Sequence, residues 1–264
     1  MPRWILIVAA VAVVLYIAFC GILFAFQRSL IYYPQPDAGP RSADTLTLAL
    51  GGAQVLVSTA PHDGPDAVIY FGGNAEEVWR GLPDLKAAFP DRALYLLNYR
   101  GYGGSTGKPS EAALVADALA LFDRVHAEHP RIAVIGRSLG GAVAVHVASL
   151  RRIEHLALIT PFNSLEEIAA RQFPFVPLHW LLLDKFESWR YAPAVTAPTL
   201  ILAAQHDEVI PRSSTESLLT HFPRGLATLT IVEGAGHNTI SESPEFIPLL
   251  RSALGAAPAR NAEP

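Results

Sequence analysis

Six short apolar runs, each closed by a turn signal, constrain the fold of this chain more than any other feature. They fall at residues 67–71, 93–98, 131–135, 156–160, 199–203 and 227–232. Runs of that length with no polar alternation fit strands buried on both faces. Helical patterns lie between them, most clearly over 110–129, where Leu114, Ala118, Leu121, Phe122 and Val125 recur on one face. Strands alternating with helices predict an α/β fold with a mostly parallel central sheet flanked by helices. Ahead of these runs, residues 45–50 and 54–59 flank Gly51-Gly52, the pattern of an antiparallel hairpin. In such sheets, sites form beyond the carboxyl ends of the strands, so the residues that follow each run carry the functional information.

Gly136-Arg137-Ser138-Leu139-Gly140 follows the third run directly and leads into the small, apolar stretch Gly141-Ala142-Val143-Ala144-Val145. G-x-S-x-G between a strand and a helix describes a nucleophile elbow. The serine takes a strained backbone conformation on a sharp turn, and side chains at 136 and 140 would collide with the neighbouring strand and helix. Ser138 is therefore the expected nucleophile. Tyr70-Phe71-Gly72-Gly73-Asn74-Ala75 follows the first run and is expected to precede a helix starting near Glu76. Its glycines permit a tight turn with exposed backbone N–H groups. The N–H groups of Asn74 and Leu139 are the predicted oxyanion hole. Asn74 is also a natural helix N-cap, a role compatible with that one.

Asp207 sits just past the run 199–203, in Gln205-His206-Asp207-Glu208-Val209-Ile210-Pro211, and His237 just past 227–232, in Gly234-Ala235-Gly236-His237-Asn238. Acid then histidine, after the serine, is the chain order this elbow requires. His237 is expected to take the serine proton, with Asp207 orienting the imidazole. Of nine histidines, His126, His129, His146, His155 and His221 fall on helices or at strand starts, and His206 precedes the acid by one. Glu208 is the rival acid. Asp184 and Glu187 lie in a later insertion and are expected to be solvated.

From Trp4 to Gln27 the chain carries no charged residue, between Arg3 and Arg28. As a helix this run reaches roughly 36 Å, enough for a hydrocarbon core of about 30 Å. A cleaved signal peptide requires a shorter apolar region and a small-x-small site, which Ala18-Phe19-Cys20 matches poorly. An uncleaved signal anchor is expected, making a single-pass membrane protein. Arg3 and the amino terminus favour a catalytic domain on the non-cytoplasmic side. The expected organisation is a transmembrane helix over 1–28, a juxtamembrane linker over 29–44, a catalytic domain over 45–255 and a flexible tail over 256–264. The net charge of −4 and scattered basic residues give no footprint for nucleic acid. The single cysteine, Cys20, lies in the apolar run, so the domain has neither a disulfide nor a thiolate metal site. No metal cluster or dinucleotide-binding glycine signature is found, and no cofactor is expected.

Together these motifs resemble membrane-tethered abhydrolase-domain serine hydrolases of the α/β-hydrolase superfamily, a group similar to prolyl oligopeptidase-like and serine aminopeptidase-like enzymes. The resemblance runs from Gln27-Arg28-Ser29-Leu30-Ile31-Tyr32-Tyr33-Pro34 through Phe71–Ala75, Gly136–Gly140, Thr160-Pro161-Phe162-Asn163-Ser164 and His206–Pro211 to Gly236-His237. Its most specific stretch is Tyr99-Arg100-Gly101-Tyr102-Gly103-Gly104-Ser105-Thr106-Gly107, a loop that borders the active site in that family. One position departs: a histidine is common where Gly72 stands, which leaves open what supports the oxyanion loop. The resemblance implies an α/β-hydrolase fold and hydrolysis of esters or thioesters, with lipid-like or acylated substrates. Acyl transfer, peptide cleavage and a catalytically inactive tethered binding protein are the alternatives.

An insertion of roughly 38 residues separates the fourth and fifth runs, longer than an ordinary crossover. Phe173, Phe175, Val176, Pro177, Leu178, Trp180, Leu181, Leu182 and Leu183 crowd its middle. Over 161–193 it is expected to form a small lid above an apolar acyl pocket beside the membrane, or a helix pair packed on the core.

Overall fold

The computed structural model describes residues 2–35 and 45–255. Most of the expected linker (36–44) and the expected tail (256–264) lie outside the described residues. The strands are β1 (Thr45–Leu50), β2 (Ala53–Ala60), β3 (Asp66–Phe71), β4 (Ala93–Leu97), β5 (Arg131–Arg137), β6 (His155–Ile159), β7 (Thr199–Ala204) and β8 (Ala227–Val232). The α-helices are α1 (Arg3–Ile31), α2 (Leu82–Ala88), α3 (Glu111–His126), α4 (Leu139–Leu150), α5 (Leu165–Gln172), α6 (Leu178–Leu181), α7 (Ser188–Tyr191), α8 (Arg212–His221) and α9 (Phe246–Ala253).

All eight strands join one sheet in the order β1-β2-β4-β3-β5-β6-β7-β8. β1 and β2 pair antiparallel and β2 meets β4 antiparallel; every other neighbour is parallel. Gly51 and Gly52 turn the hairpin at φ +52° and +79°. Two successive left-handed residues make the turn whose twist suits the flanking strands, and glycine adopts it without strain.

The uniformly apolar strands have a simple cause. Alternate residues of each strand enter opposite cores. Ile69, Phe71, Ile132 and Val134 pack with Leu121 of α3 and Val143 of α4. Val68, Tyr70, Ala133 and Ile135 pack with Leu85 of α2 and Leu250 of α9 on the other face. Ser110 starts α3 by accepting a hydrogen bond from the Ala113 N–H at 3.2 Å, and Ser164 starts α5 through the Glu167 N–H at 3.1 Å.

The segment between β6 and β7 divides its packing. Its later part, α7 and the short turn Ala192–Ala194, lies on the core, where Tyr191 stacks on His146 of α4 with ring centroids 3.7 Å apart. Its earlier part, α5 and α6, has no fully buried residue and lies alongside the end of α1.

α1 is long and apolar enough to cross a membrane: 29 residues, with a mean hydropathy of 3.0 in its most apolar window. Only Cys20 and Gln27 of α1 are buried. Asp184 corrects the sequence expectation. It is buried, not solvated, and accepts hydrogen bonds from Arg28 Nε at 3.0 Å and the Tyr32 hydroxyl at 3.1 Å. The last turn of α1 enters the domain and brings its own cation to a residue more than 150 positions away.

The tightest packing in the fold is at the start of α4. A Cβ built on Gly136 would stand 2.6 Å from Ala144 Cβ, and one on Gly140 would run into the carbonyl oxygen of Phe71. Gly140→Ala should therefore lower stability by about 1–3 kcal/mol or prevent folding. Thermal unfolding of detergent-solubilised protein checks this; a variant with the wild-type midpoint would mean that α4 is free to shift.

Candidate active site

β5 delivers Ser138 to the sheet edge and α4 begins immediately behind it. Ser138 has φ +49° and ψ −115°, a conformation that non-glycine residues avoid. It is held there on both sides: its N–H donates to the Ile159 carbonyl at 2.8 Å, and its own carbonyl accepts from the Gly141 N–H at 2.8 Å. The strain is thus borne by surrounding structure, as at many functional positions. Thr160, at the end of neighbouring β6, is likewise forced to φ +46°, which stops the strand one residue short of the expected 156–160.

His237 Nε2 lies 3.1 Å from Ser138 Oγ, and His237 Nδ1 lies 2.9 and 3.0 Å from the two carboxylate oxygens of Asp207. His237 is buried, and the Asp207 side chain is 8% exposed. Asp207 is fixed in turn, since its Oδ1 accepts the N–H groups of Val209 at 2.9 Å and Ile210 at 2.7 Å. Glu208, the rival acid, does not meet the imidazole. It accepts the backbone N–H of His237 at 3.1 Å, and a bond from its own N–H together with that one holds its carboxyl below the usual range. The two acids thus split the work: Asp207 meets the imidazole and Glu208 holds its backbone.

The loop after β3 brings Gly73 beside the serine: a Cβ on Gly73 would stand 3.7 Å from Ser138 Cβ. The helix expected near Glu76 is absent. A short 3-10 turn, Val78–Gly81, comes first, and α2 starts only at Leu82. Asn74 caps no helix. Its amide donates to the Ile31 carbonyl at 2.6 Å and accepts from the Tyr33 N–H at 3.0 Å and the Tyr102 hydroxyl at 2.7 Å. Its side chain is committed to the exit of α1, and its backbone N–H has no partner among the described residues. Leu139 is the first residue of α4, so its N–H is one of the free donors at a helix start.

Other side chains support this loop in place of the missing histidine. Glu76 accepts the Gly73 N–H at 2.6 Å and the Tyr70 hydroxyl at 2.6 Å. The Tyr99 hydroxyl donates to the Gly72 carbonyl at 3.0 Å. Burial pushes the Tyr70 and Tyr99 phenols well above their usual range, so both stay protonated donors. Arg100, from the same glycine-rich loop as Tyr99 and Tyr102, makes a two-pronged ion pair with buried Asp117 of α3 at 2.6 Å. The signal was available in Tyr99-Arg100-Gly101-Tyr102, but its partners lie at residues 72, 74 and 117. Among the described residues no group of three or more His, Cys, Asp or Glu is placed to hold a metal ion.

Comparison with known proteins agrees with this architecture. Residues 54–195 match the sequence profile of the alpha/beta hydrolase family. The chain belongs to that family. An uncharacterized protein of Mycobacterium tuberculosis is 36% identical over 251 residues, covering 86% of this chain and 87% of its own. The protein bem46 of Schizosaccharomyces pombe is 30% identical over 72% of this chain and 73% of its own. Among solved structures, an esterase of Pyrococcus furiosus superposes with a TM-score of 0.68 at 16% identity, over 84% of this chain and 95% of that one. At that identity the likeness is one of fold.

The Asn74 amide joins the loop to both α1 and Tyr102. Asn74→Ala should leave the chain folded and slow reaction of Ser138 with an activated phosphonate about fivefold, the equivalent of about 1 kcal/mol. A labelling time course against wild type measures it; an unchanged rate would show that the loop holds its shape without that link.

Proposed function

We propose that this hydrolase-family protein is a membrane-anchored serine hydrolase cleaving carboxylic esters or thioesters through an acyl-enzyme. The observation that carries the reading is the continuous hydrogen-bonded chain from Ser138 through His237 to Asp207 on a strained elbow. In it, His237 Nε2 takes the Ser138 proton as Oγ attacks the acyl carbon, and Asp207 holds the Nδ1–H tautomer and stabilises the imidazolium. The backbone N–H groups of Asn74 and Leu139 receive the negative charge on the carbonyl oxygen, and the start of α4 adds its dipole. His237 then returns the proton to the leaving oxygen or sulfur. Water repeats the sequence to free the acid. The Pyrococcus protein that shares this fold is an esterase, which agrees with the reading.

The first test is labelling with a fluorophosphonate probe of the full chain in detergent. Wild type should label. Ser138→Ala and His237→Ala should not, and Asp207→Asn should lower turnover by about 10⁴-fold. A properly folded wild-type protein that fails to label would leave a tethered binding protein as the better reading.

The substrate proposed is an acylated or lipid-like ester. An apolar cavity of about 290 Å³ adjoins the site, with Asn74 and Val209 on its wall. At roughly 30 Å³ for a group the size of water or a methylene, it holds a chain of about ten carbons. Each methylene entering it contributes about 0.8 kcal/mol. A series of esters should therefore show turnover efficiency rising to a maximum between about four and ten carbons. Maximal activity on acetate with a steady fall thereafter would rule out acyl-chain selection.

A further inference from the structure

The cavity that reaches Asn74 and Val209 is not built by the hydrolase fold alone. Leu23, Phe24, Gln27, Leu30 and Ile31 of α1 form one side of it, and α5, α6 and the residues between and after them, including Ile168, Phe173, Val176 and Leu182, form the other. We propose that α1 is both the anchor and one wall of the acyl-binding site, and that the substrate is a bilayer-resident ester presenting a single acyl chain. This rests on the serine-hydrolase reading above.

The contact between α1 and the segment after β6 is specific in its chemistry. Gln27 is a buried amide on an apolar helix, and both its nitrogen and its oxygen are engaged: Nε2 donates to Phe24 O at 2.9 Å and Leu181 O at 3.1 Å, and Oε1 accepts the Leu183 N–H at 2.7 Å. A satisfied amide in an apolar setting sets register, because any slip leaves its groups unpaired. From the next residue on, the Arg28–Asp184 ion pair and the Tyr32 hydroxyl lock the same two segments. Towards the N-terminus, the Tyr16 hydroxyl donates to the Phe175 carbonyl at 2.7 Å. Tyr16, Cys20, Leu23, Gln27 and Ile31 share one helical face.

These contacts fix how deep the cavity lies. Tyr16 and Arg28 are twelve residues apart, roughly 18 Å along the helix, and half a hydrocarbon core is about 15 Å. With Arg28 at the headgroups, the tip of the segment carrying α5 and α6 reaches down α1 through one leaflet. Phe175 and Trp180, 87% and 81% exposed, then face acyl chains rather than water. A cavity between that segment and α1 opens to lipid, and its volume admits one medium chain, not two. A second cavity of about 540 Å³, edged by Glu76, Arg80, Arg137 and Phe246, takes in no residue of α1, whereas the first is walled by α1 and reaches Asn74.

The test uses the full chain in phosphatidylcholine nanodiscs with p-nitrophenyl esters of two to twelve carbons. Leu23→Trp fills the α1 side of the cavity and should lower the octanoyl-to-acetyl ratio of kcat/KM at least about tenfold. Phe24→Ala enlarges it and should move the preferred length upward by two carbons or more. Ile22→Trp, on the opposite face of α1 and 59% exposed, should keep the wild-type ratio. Fluorophosphonate labelling reports folding of each variant, and Phe24→Ala decides the matter if Leu23→Trp fails to fold. If wild type hydrolyses the series but Leu23→Trp and Phe24→Ala keep its profile, α1 is an anchor only and the proposal falls while the hydrolase reading stands. If folded wild type neither labels nor hydrolyses any ester, both fall together.

Discussion

The structure depends on how closely the first turn of α4 approaches the end of β3. At Gly140 no side chain separates the helix from the carbonyl oxygens of Phe71 and Gly72, and at Gly136 none separates the strand from Ala144. That approach places Ser138 at φ +49° beside Gly73. It sets two backbone segments from distant parts of the chain against Ser138, with the start of a helix behind it. A methyl group at either glycine would move the serine away from the loop after β3 before affecting anything else. Histidine and acid then need only reach an edge whose position is already fixed, and they do so from the ends of β7 and β8.

Much of this was legible in the sequence because it is local. A strand followed at once by G-x-S-x-G specifies its own turn. The acid and histidine follow in order after the last two parallel strands, at the sheet edge where the serine emerges. The hairpin at Gly51-Gly52 is similarly self-contained. The misreadings share the opposite property. Asn74 has the residue type and position of a helix cap, but Ile31, Tyr33 and Tyr102 claim its amide. Asp184 looks like a solvent-facing acid in the insertion between β6 and β7 until Arg28 and Tyr32 arrive from the other end of the chain. Residue type announces that a polar group needs partners, but not which segment supplies them.

The same logic accounts for the departure at Gly72. A histidine there would support the loop after β3 from within. Here the support comes from outside, through Glu76 on Gly73 and Tyr99 on Gly72, and the Gly72 position has no room to spare, because a Cβ would run into Val78. Tyr99 is itself placed by the loop that Arg100 pins to Asp117 of α3. A buried ion pair of this kind adds little net stability but is costly to break from one side. It therefore fixes position more than it stabilises. The loop that receives the charge in the proposed reaction is thus braced by α3 on one side and by the exit of α1 on the other.

That second brace makes α1 hard to regard as a detachable tether. Its last turns supply the carbonyl that Asn74 binds, the cation and hydroxyl that satisfy buried Asp184, and the amide that fixes the segment carrying α6. A helix serving only to hold a domain near a membrane needs none of these contacts. A helix that must present an apolar surface at a set distance from Ser138 needs all of them, because a shift of one turn, about 5.4 Å, would close the cavity or separate it from the serine. In the proposed reading, anchoring and the geometry of the site are therefore one constraint, and it acts through Asn74.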